Sequence, residues 1–320
     1  MIQTIDYHTG GEPFRIVVGG IGEIKGSTVL ERRAAAFQSE EIDRVRRLLC
    51  HEPRGHADMY GCFLVPPDSP GADLGVLFWH KDGYSTACGH GTIALGVHAV
   101  QEGLVEADPD GTTDVVIDVP SGRVTARVAM KGGEITSVTF RNVPSYVIAR
   151  GVQVEGADVD VSYGGAIYAS LPASSLGLSV APEHLTELIA HGRRIKAALA
   201  DHPAARHPSD ERLSGIYGVI FYDDLGPAHQ RNVTVFADGE VDRSPCGSGT
   251  AARLALLAEE LPAGFTLTHD SIVGSSFRAW VAESTQEGVI PEIEGIAYRT
   301  GRHSFELDPR DPIGTGFTLR

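Results

Sequence analysis

Basic side chains are scarce. In 320 residues, Lys and Arg number 27 against 42 Asp and Glu, leaving a formal net charge of −15 at pH 7. Affinity for a phosphate backbone needs clustered Lys and Arg, so a nucleic-acid partner is not expected. An anionic membrane surface suits the chain no better. Cysteine is scarce as well: Cys50, Cys62, Cys88 and Cys246 are too few for a disulfide-built scaffold. No apolar run approaches the roughly 18 residues of a membrane span. The N-terminal MIQTIDYHTGGEP lacks a basic segment ahead of an apolar stretch, so no signal peptide is read and the protein is expected in the cytoplasm with reduced thiols. Neither a P-loop nor a dinucleotide fingerprint occurs. The lysines (Lys25, Lys81, Lys131 and Lys196) lack a Schiff-base setting, so pyridoxal phosphate is not expected.

What remains is an ordinary globular composition, 42% hydrophobic and 22% charged. At about 150 residues per domain the length suggests two domains. Internal repetition gives them shape. VLFWHKDGYSTACGHGTIALGVHAV, from Val76, has a counterpart in TVFADGEVDRSPCGSGTAARLALLA, from Thr234. Phe78 maps to Phe236 and Cys88 to Cys246 at a common spacing of 158 residues. IDYHTGG, ending at Gly11, is echoed by VDVSYGG, ending at Gly165, at a spacing of 154. Two echoes at nearly one offset indicate a duplication.

After each repeated cysteine comes a stretch of helix formers, Thr92–Glu102 and Thr250–Glu260, apolar nearly all round apart from His98 and Arg253. Such helices are buried. Alternating runs (VVIDVP, RVTARVAM, EITSVTF, FTLTHD, SFELD) read as strands. Two more exposed helices are expected over about Glu31–Leu49 and Pro182–Ala200. The expected fold is mixed α/β (α+β): two pseudo-symmetric halves, each a sheet wrapped around a central helix. The repeat sets the halves at residues 1–142 plus 296–320 and residues 143–295, the tail returning as strands to the first. With no linker between them, a cleft should lie at their junction.

Cys88 and Cys246 each precede a central helix, where free N–H groups and the helix dipole favour a thiolate. The glycines Gly89, Gly91, Gly247 and Gly249 let backbone amides approach a ligand. Two such ends facing each other would cradle one carboxylate with a thiol on each side. Inversion at an α-carbon needs that arrangement, a base on one face and an acid on the other. Cys50 and Cys62, without flanking glycine, are expected to be packing residues. His8, Thr9 and Glu12 are read as shaping the Gly-Gly turn. His56 and Asp58 lack the spacing of a standard metal site, so no metal is expected.

CGHGT and DRSPCGSGT, with IDYHTGGEP, RIV and EPRGHADMYG, resemble the proline racemase family across essentially the whole chain. The family contains proline racemases, hydroxyproline 2-epimerases and trans-3-hydroxy-L-proline dehydratases. The resemblance implies a diaminopimelate epimerase-like fold, commonly dimeric, acting on proline or a hydroxyproline without a cofactor. It implies that Cys88 and Cys246 are the acid–base pair and that the amides of Gly89, His90, Gly247 and Ser248 hold the carboxylate. By the same resemblance, Asp242 and the His90 side chain contact the ring nitrogen. Ser248 stands where racemases usually carry Thr. Tyr217 falls nearest a position where the 2-epimerases commonly carry His. EPRGHADMYG, IYGVIF and FADGEVDRSP are closer to the dehydratase branch, which usually replaces the second cysteine with Thr, whereas this chain keeps Cys246. The leading expectation is therefore a two-base racemase or epimerase. Dehydration with Cys88 as base is the alternative.

Overall fold

The computed structural model describes residues 1–319. The first run of elements is β1 (Ile2–Thr9), β2 (Glu12–Gly19), α1 (Val29–Gln38), α2 (Glu40–Cys50), β3 (Gly61–Val65), β4 (Leu74–His80) and β5 (Gly83–Tyr84). It continues with α3 (Gly89–Gln101), β6 (Thr112–Val119), β7 (Gly122–Lys131) and β8 (Glu134–Arg141). A second run opens with β9 (Tyr146–Val154), β10 (Ala157–Tyr163), β11 (Ile167–Pro172), α4 (Leu185–Leu199), β12 (Ile216–Gly226) and β13 (His229–Phe236). It goes on through β14 (Glu240–Asp242), α5 (Gly247–Leu257), β15 (Thr266–Ser271), β16 (Ser276–Thr285) and β17 (Gly288–Gly295). The last strand is β18 (Ala297–Phe305).

The two runs have matching topology. In the first, β18, β1, β2, β3, β4, β6, β7 and β8 are successive neighbours, parallel only at β2–β3 and β4–β6. In the second, β9, β10, β11, β12, β13, β15, β16 and β17 follow one another, parallel only at β11–β12 and β13–β15. Strands β5 and β14 are short hairpin partners of β4 and β13. An antiparallel pairing of β8 with β17, Phe140 opposite Ile293, stitches the two sheets together. The final strand lies against the first half, with Ile2 opposite Phe305 and Thr9 opposite Ala297.

Each sheet curls around one buried helix. Every residue of α3 from Gly89 to Ala99, and every residue of α5, is buried. Helix α3 packs on β1, β2, β6, β7, β8 and β18, and α5 on β9, β10, β11, β16 and β17. Apolar positions on every side of these helices leave no face for water, and the surrounding sheet satisfies that pattern. The architecture is therefore the expected one. Its details differ in three places. Helices α3 and α5 begin at their glycines rather than at Thr92 and Thr250, with Cys88 and Cys246 at the N-cap positions, of which Cys88 alone makes a side-chain cap. The helix expected over Glu31–Leu49 breaks at Ser39, which closes α1 and caps α2 by accepting a hydrogen bond from the Ile42 N–H at 3.3 Å. Helix α4 starts at Leu185, after a single 3-10 turn over Pro182–His184. Among the described residues, no helix is long and apolar enough to cross a membrane.

Candidate active site

The heads of the two central helices meet. A methyl group on Gly89 would stand 2.5 Å from the Gly247 Cα, and one on Gly247 would stand 2.7 Å from the Gly89 Cα. Only glycine permits that backbone approach. The second glycine of each motif has a different reason. A methyl group at Gly91 would come within 2.7 Å of the Cys88 sulfur, and one at Gly249 within 2.9 Å of the Cys246 sulfur. The C-G-x-G spacing thus lets each sulfur fold back over the first turn of its own helix.

The two thiols are held differently. Cys88 is extended, and its Sγ accepts a hydrogen bond from the Gly91 N–H at 3.2 Å. Cys246 has φ +62°, a conformation that strains a residue with a side chain by about 1–3 kcal/mol. Strain of that kind persists only where neighbours over-determine the turn. Here the Cys246 N–H donates to Ser244 Oγ at 3.1 Å, while Ser244 donates through its N–H and hydroxyl to Asp242 Oδ1 at 2.8 and 2.7 Å.

Cys88, His90, Asp242, Cys246 and Ser248 all line one cavity, together with Tyr60, Ala87, Tyr168, Tyr217 and Phe236. Gly89 and Gly247 are not among its lining residues; they touch each other at the helix heads, next in sequence to the lining residues Cys88, His90, Cys246 and Ser248. Asp242 Oδ2 lies 3.8 Å from His90 Nδ1, and a His90 ring nitrogen lies 3.6 Å from the Cys88 sulfur. The His90 ring stands edge-on to Phe14 and Tyr60. Ser248 Oγ is 2.7 Å from the Tyr168 hydroxyl, and the Tyr217 hydroxyl is 3.0 Å from that of Tyr60. The cavity is tight, with only about 10 Å³ of water-accessible space.

Burial decides the electrostatics and reverses one expectation. A thiol at a helix head was expected to ionise easily. Both thiols are instead pushed up, Cys88 well above the ordinary thiol value of 9.0, and desolvation is the main cause. The N–H groups of Gly91 and Gly249 oppose it, but the nearby Asp242 charge adds to it. Burial likewise pushes His90 down, so its ring is neutral despite Asp242. A high thiol pKa has chemical value, because the corresponding thiolate is a strong base for a weakly acidic C–H.

The first half also grips the strand that leads to Cys246. Glu12 Oε2 accepts the Arg243 N–H at 2.7 Å, and Asp58 accepts the Val241 N–H at 3.0 Å and Arg243 Nη2 at 2.7 Å. Burial, reinforced by Asp242, pushes the Glu12 carboxyl well above the usual carboxylate range. Thr9 donates to the His90 carbonyl at 2.9 Å, and His8 Nδ1 accepts the Gly11 N–H at 3.2 Å. The expectation that these residues only shape the Gly-Gly turn holds for His8. Glu12 does more, crossing to the other half. Cys50 and Cys62 are buried in hydrophobic packing and do not line the thiol cavity.

Tyr60 and Tyr168 were not singled out from the sequence. Tyr60 lies inside EPRGHADMYG, and the repeat could have found Tyr168, because the spacing that aligns Gly11 with Gly165 places Phe14 on Tyr168. Among the described residues, the one metal-like grouping is His80, Asp82 and Glu240, with donor atoms within 4.8 Å of one another. His80 Nδ1 lies 3.1 Å from Glu240 Oε1, and Lys81 Nζ lies 3.3 Å from Asp82. Burial lowers His80 to about 3 and raises Glu240 well above the carboxylate range.

Two like halves, each wrapped on a buried helix, with a tight cavity beside the meeting helix heads, make up the diaminopimelate epimerase-like fold. The proline racemase family matches residues 4–318, and the chain belongs to it. A trans-3-hydroxy-L-proline dehydratase of Bacillus thuringiensis is 44% identical, the match covering 99% of this chain and 97% of that one. Among solved structures, a probable proline racemase from Agrobacterium radiobacter K84, with bound carbonate, has a TM-score of 0.93 at 29% identity, covering 100% and 97%. A hydroxyproline epimerase from Agrobacterium vitis, with bound trans-4-hydroxy-L-proline, has a TM-score of 0.91 at 30% identity, covering 99% and 95%.

Proposed function

We propose that the protein is a cofactor-independent racemase or epimerase of proline or a hydroxyproline, inverting the α-carbon with Cys88 and Cys246 as the acid–base pair. The observation that carries this reading is the presence of both thiols in one closed cavity at the meeting heads of α3 and α5. In each turnover one sulfur, as thiolate, takes the α-proton and the other, as thiol, returns a proton to the opposite face. The roles reverse with the handedness of the substrate. Backbone N–H groups of Gly89, His90, Gly247 and Ser248 hold the carboxylate and stabilise the charge that spreads onto it after deprotonation. Asp242, with the neutral His90 ring, holds the ring nitrogen. The tight cavity excludes water from the carbanion. Free thiols fit a reducing cytoplasm, and the assembly is proposed as a homodimer.

The 44% identity to a dehydratase over nearly the whole chain favours a second reaction. Cys88 would take the α-proton of trans-3-hydroxy-L-proline, the C3–O bond would break with protonation of the leaving hydroxyl, and the enamine would tautomerise to a cyclic imine. The test is a product screen with proline, 4-hydroxyproline and trans-3-hydroxy-L-proline, each without added cofactor. The inverted amino acid supports epimerisation, and a cyclic imine from the 3-hydroxy compound alone would transfer the assignment to the second reading.

A further inference from the structure

The thiol cavity has room for about one water, so a substrate needs a route to it. A cavity of about 890 Å³ shares no wall residue with the thiol cavity. A second cavity of about 360 Å³ does, because Tyr217 lines both. The partition between them is a chain of hydroxyls. Ser85 faces the larger space and hydrogen-bonds the Tyr60 hydroxyl, which in turn lies 3.0 Å from that of Tyr217.

The wall of this second cavity carries two cations with no ion-pair partner among the described residues. Arg33, on α1, donates through Nε and Nη2 to the Tyr84 carbonyl at 2.9 and 2.7 Å. Lys196, on α4, donates to the Tyr217 carbonyl at 3.0 Å and to that of Ala237. The acids on the same wall are compensated: Asp82 pairs with Lys81 at 3.3 Å and Asp238 with Arg193 at 2.9 Å. His80, also in the wall, is neutral through burial. Lys196 still feels the charges of Asp82, Asp238 and Glu240, whereas Arg33 has only the Tyr60 and Tyr217 hydroxyls as charge partners, so Arg33 is the less compensated cation of this wall in a chain whose net charge is −15. A cation presented to a cleft raises the local concentration of anions there.

We propose that this cavity is the vestibule through which an amino or imino acid reaches the thiols, with Arg33 and Lys196 receiving its carboxylate ahead of the Tyr60–Tyr217 partition. The inference rests on the two-thiol reading for the identity of its ligand, and its test uses no turnover. Iodoacetate and iodoacetamide alkylate the same thiolates and differ in charge. The ratio of their rates at Cys88 and Cys246, read by mass spectrometry, isolates attraction of the anion and cancels any change in thiol ionisation. We expect the ratio to fall on the order of tenfold in Arg33→Met and in Lys196→Met. It should stay near the parent value in Arg33→Lys and Lys196→Arg, and should fall with added salt in the parent protein. Lys196 also braces two carbonyls, so the Arg33 pair carries the test if Lys196→Met does not fold. A ratio unchanged in Arg33→Met, or lost equally in Arg33→Lys, overturns the proposal. Because no substrate is consumed, failure here leaves the product screen untouched, and failure of the screen leaves this ratio readable.

Discussion

At the scale of single residues, Cys246 shows how the site is built. It adopts φ +62° without being glycine, and Ser244 and Asp242 fix the turn that holds it there. The same Asp242 that organises this turn turns its second oxygen toward His90, so one carboxylate touches both the Cys246 turn and the His90 ring. The strongest residue-level effect is desolvation of the two sulfurs, which raises their pKa despite the helix-head N–H groups. The sign is clear: a raised thiol pKa leaves little thiolate at neutral pH, and the thiolate fraction grows as pH rises. Alkylation of Cys88 by neutral iodoacetamide should climb by about tenfold per pH unit between pH 7 and 9 without levelling. A plateau already reached at pH 7 would mean that the helix heads outweigh burial. The motif in the sequence showed the N–H groups but not the burial, which depends on Tyr60 from the loop before β3 and on Tyr168, Tyr217 and Phe236 from β11, β12 and β13. That is why the expected ease of ionisation was reversed.

At the scale of elements, the central helices were legible because their apolar residues run all the way round, a pattern that only a wrapping sheet satisfies. Their first turns were not, since glycine is a poor helix former and the sequence alone gives it no reason to be helical. The reason is contact between α3 and α5, where Gly89 and Gly247 leave no space for a methyl group. Gly89→Ala forces backbone against backbone, so overpacking should destabilise the fold by roughly 1–3 kcal/mol. Because the displaced segments carry both thiols, inversion should fall far more than stability. Urea denaturation together with α-proton exchange checks both. Unchanged activity in a stable Gly89→Ala protein would show that the helix heads need not touch.

At the scale of the whole molecule, duplication was visible as matched motifs, and the strand orders of the two halves repeat one another down to the positions of their parallel pairs. The seam was not visible. Pairing of β8 with β17, and the reach of Glu12 and Asp58 across to Val241 and Arg243, are long-range contacts without a local sequence pattern. These contacts bring the two copies together, and in the proposed mechanism each copy supplies one thiol to the same α-carbon. The most direct measurement is NMR of proton exchange and inversion in heavy water, starting from each enantiomer or epimer of the best substrate. It should be run with the parent protein, Cys88→Ser and Cys246→Ser. The parent should place deuterium at the α-carbon of the inverted product, and each single variant should lose inversion by at least about a hundredfold. Inversion at the parent rate with either sulfur removed would contradict that mechanism.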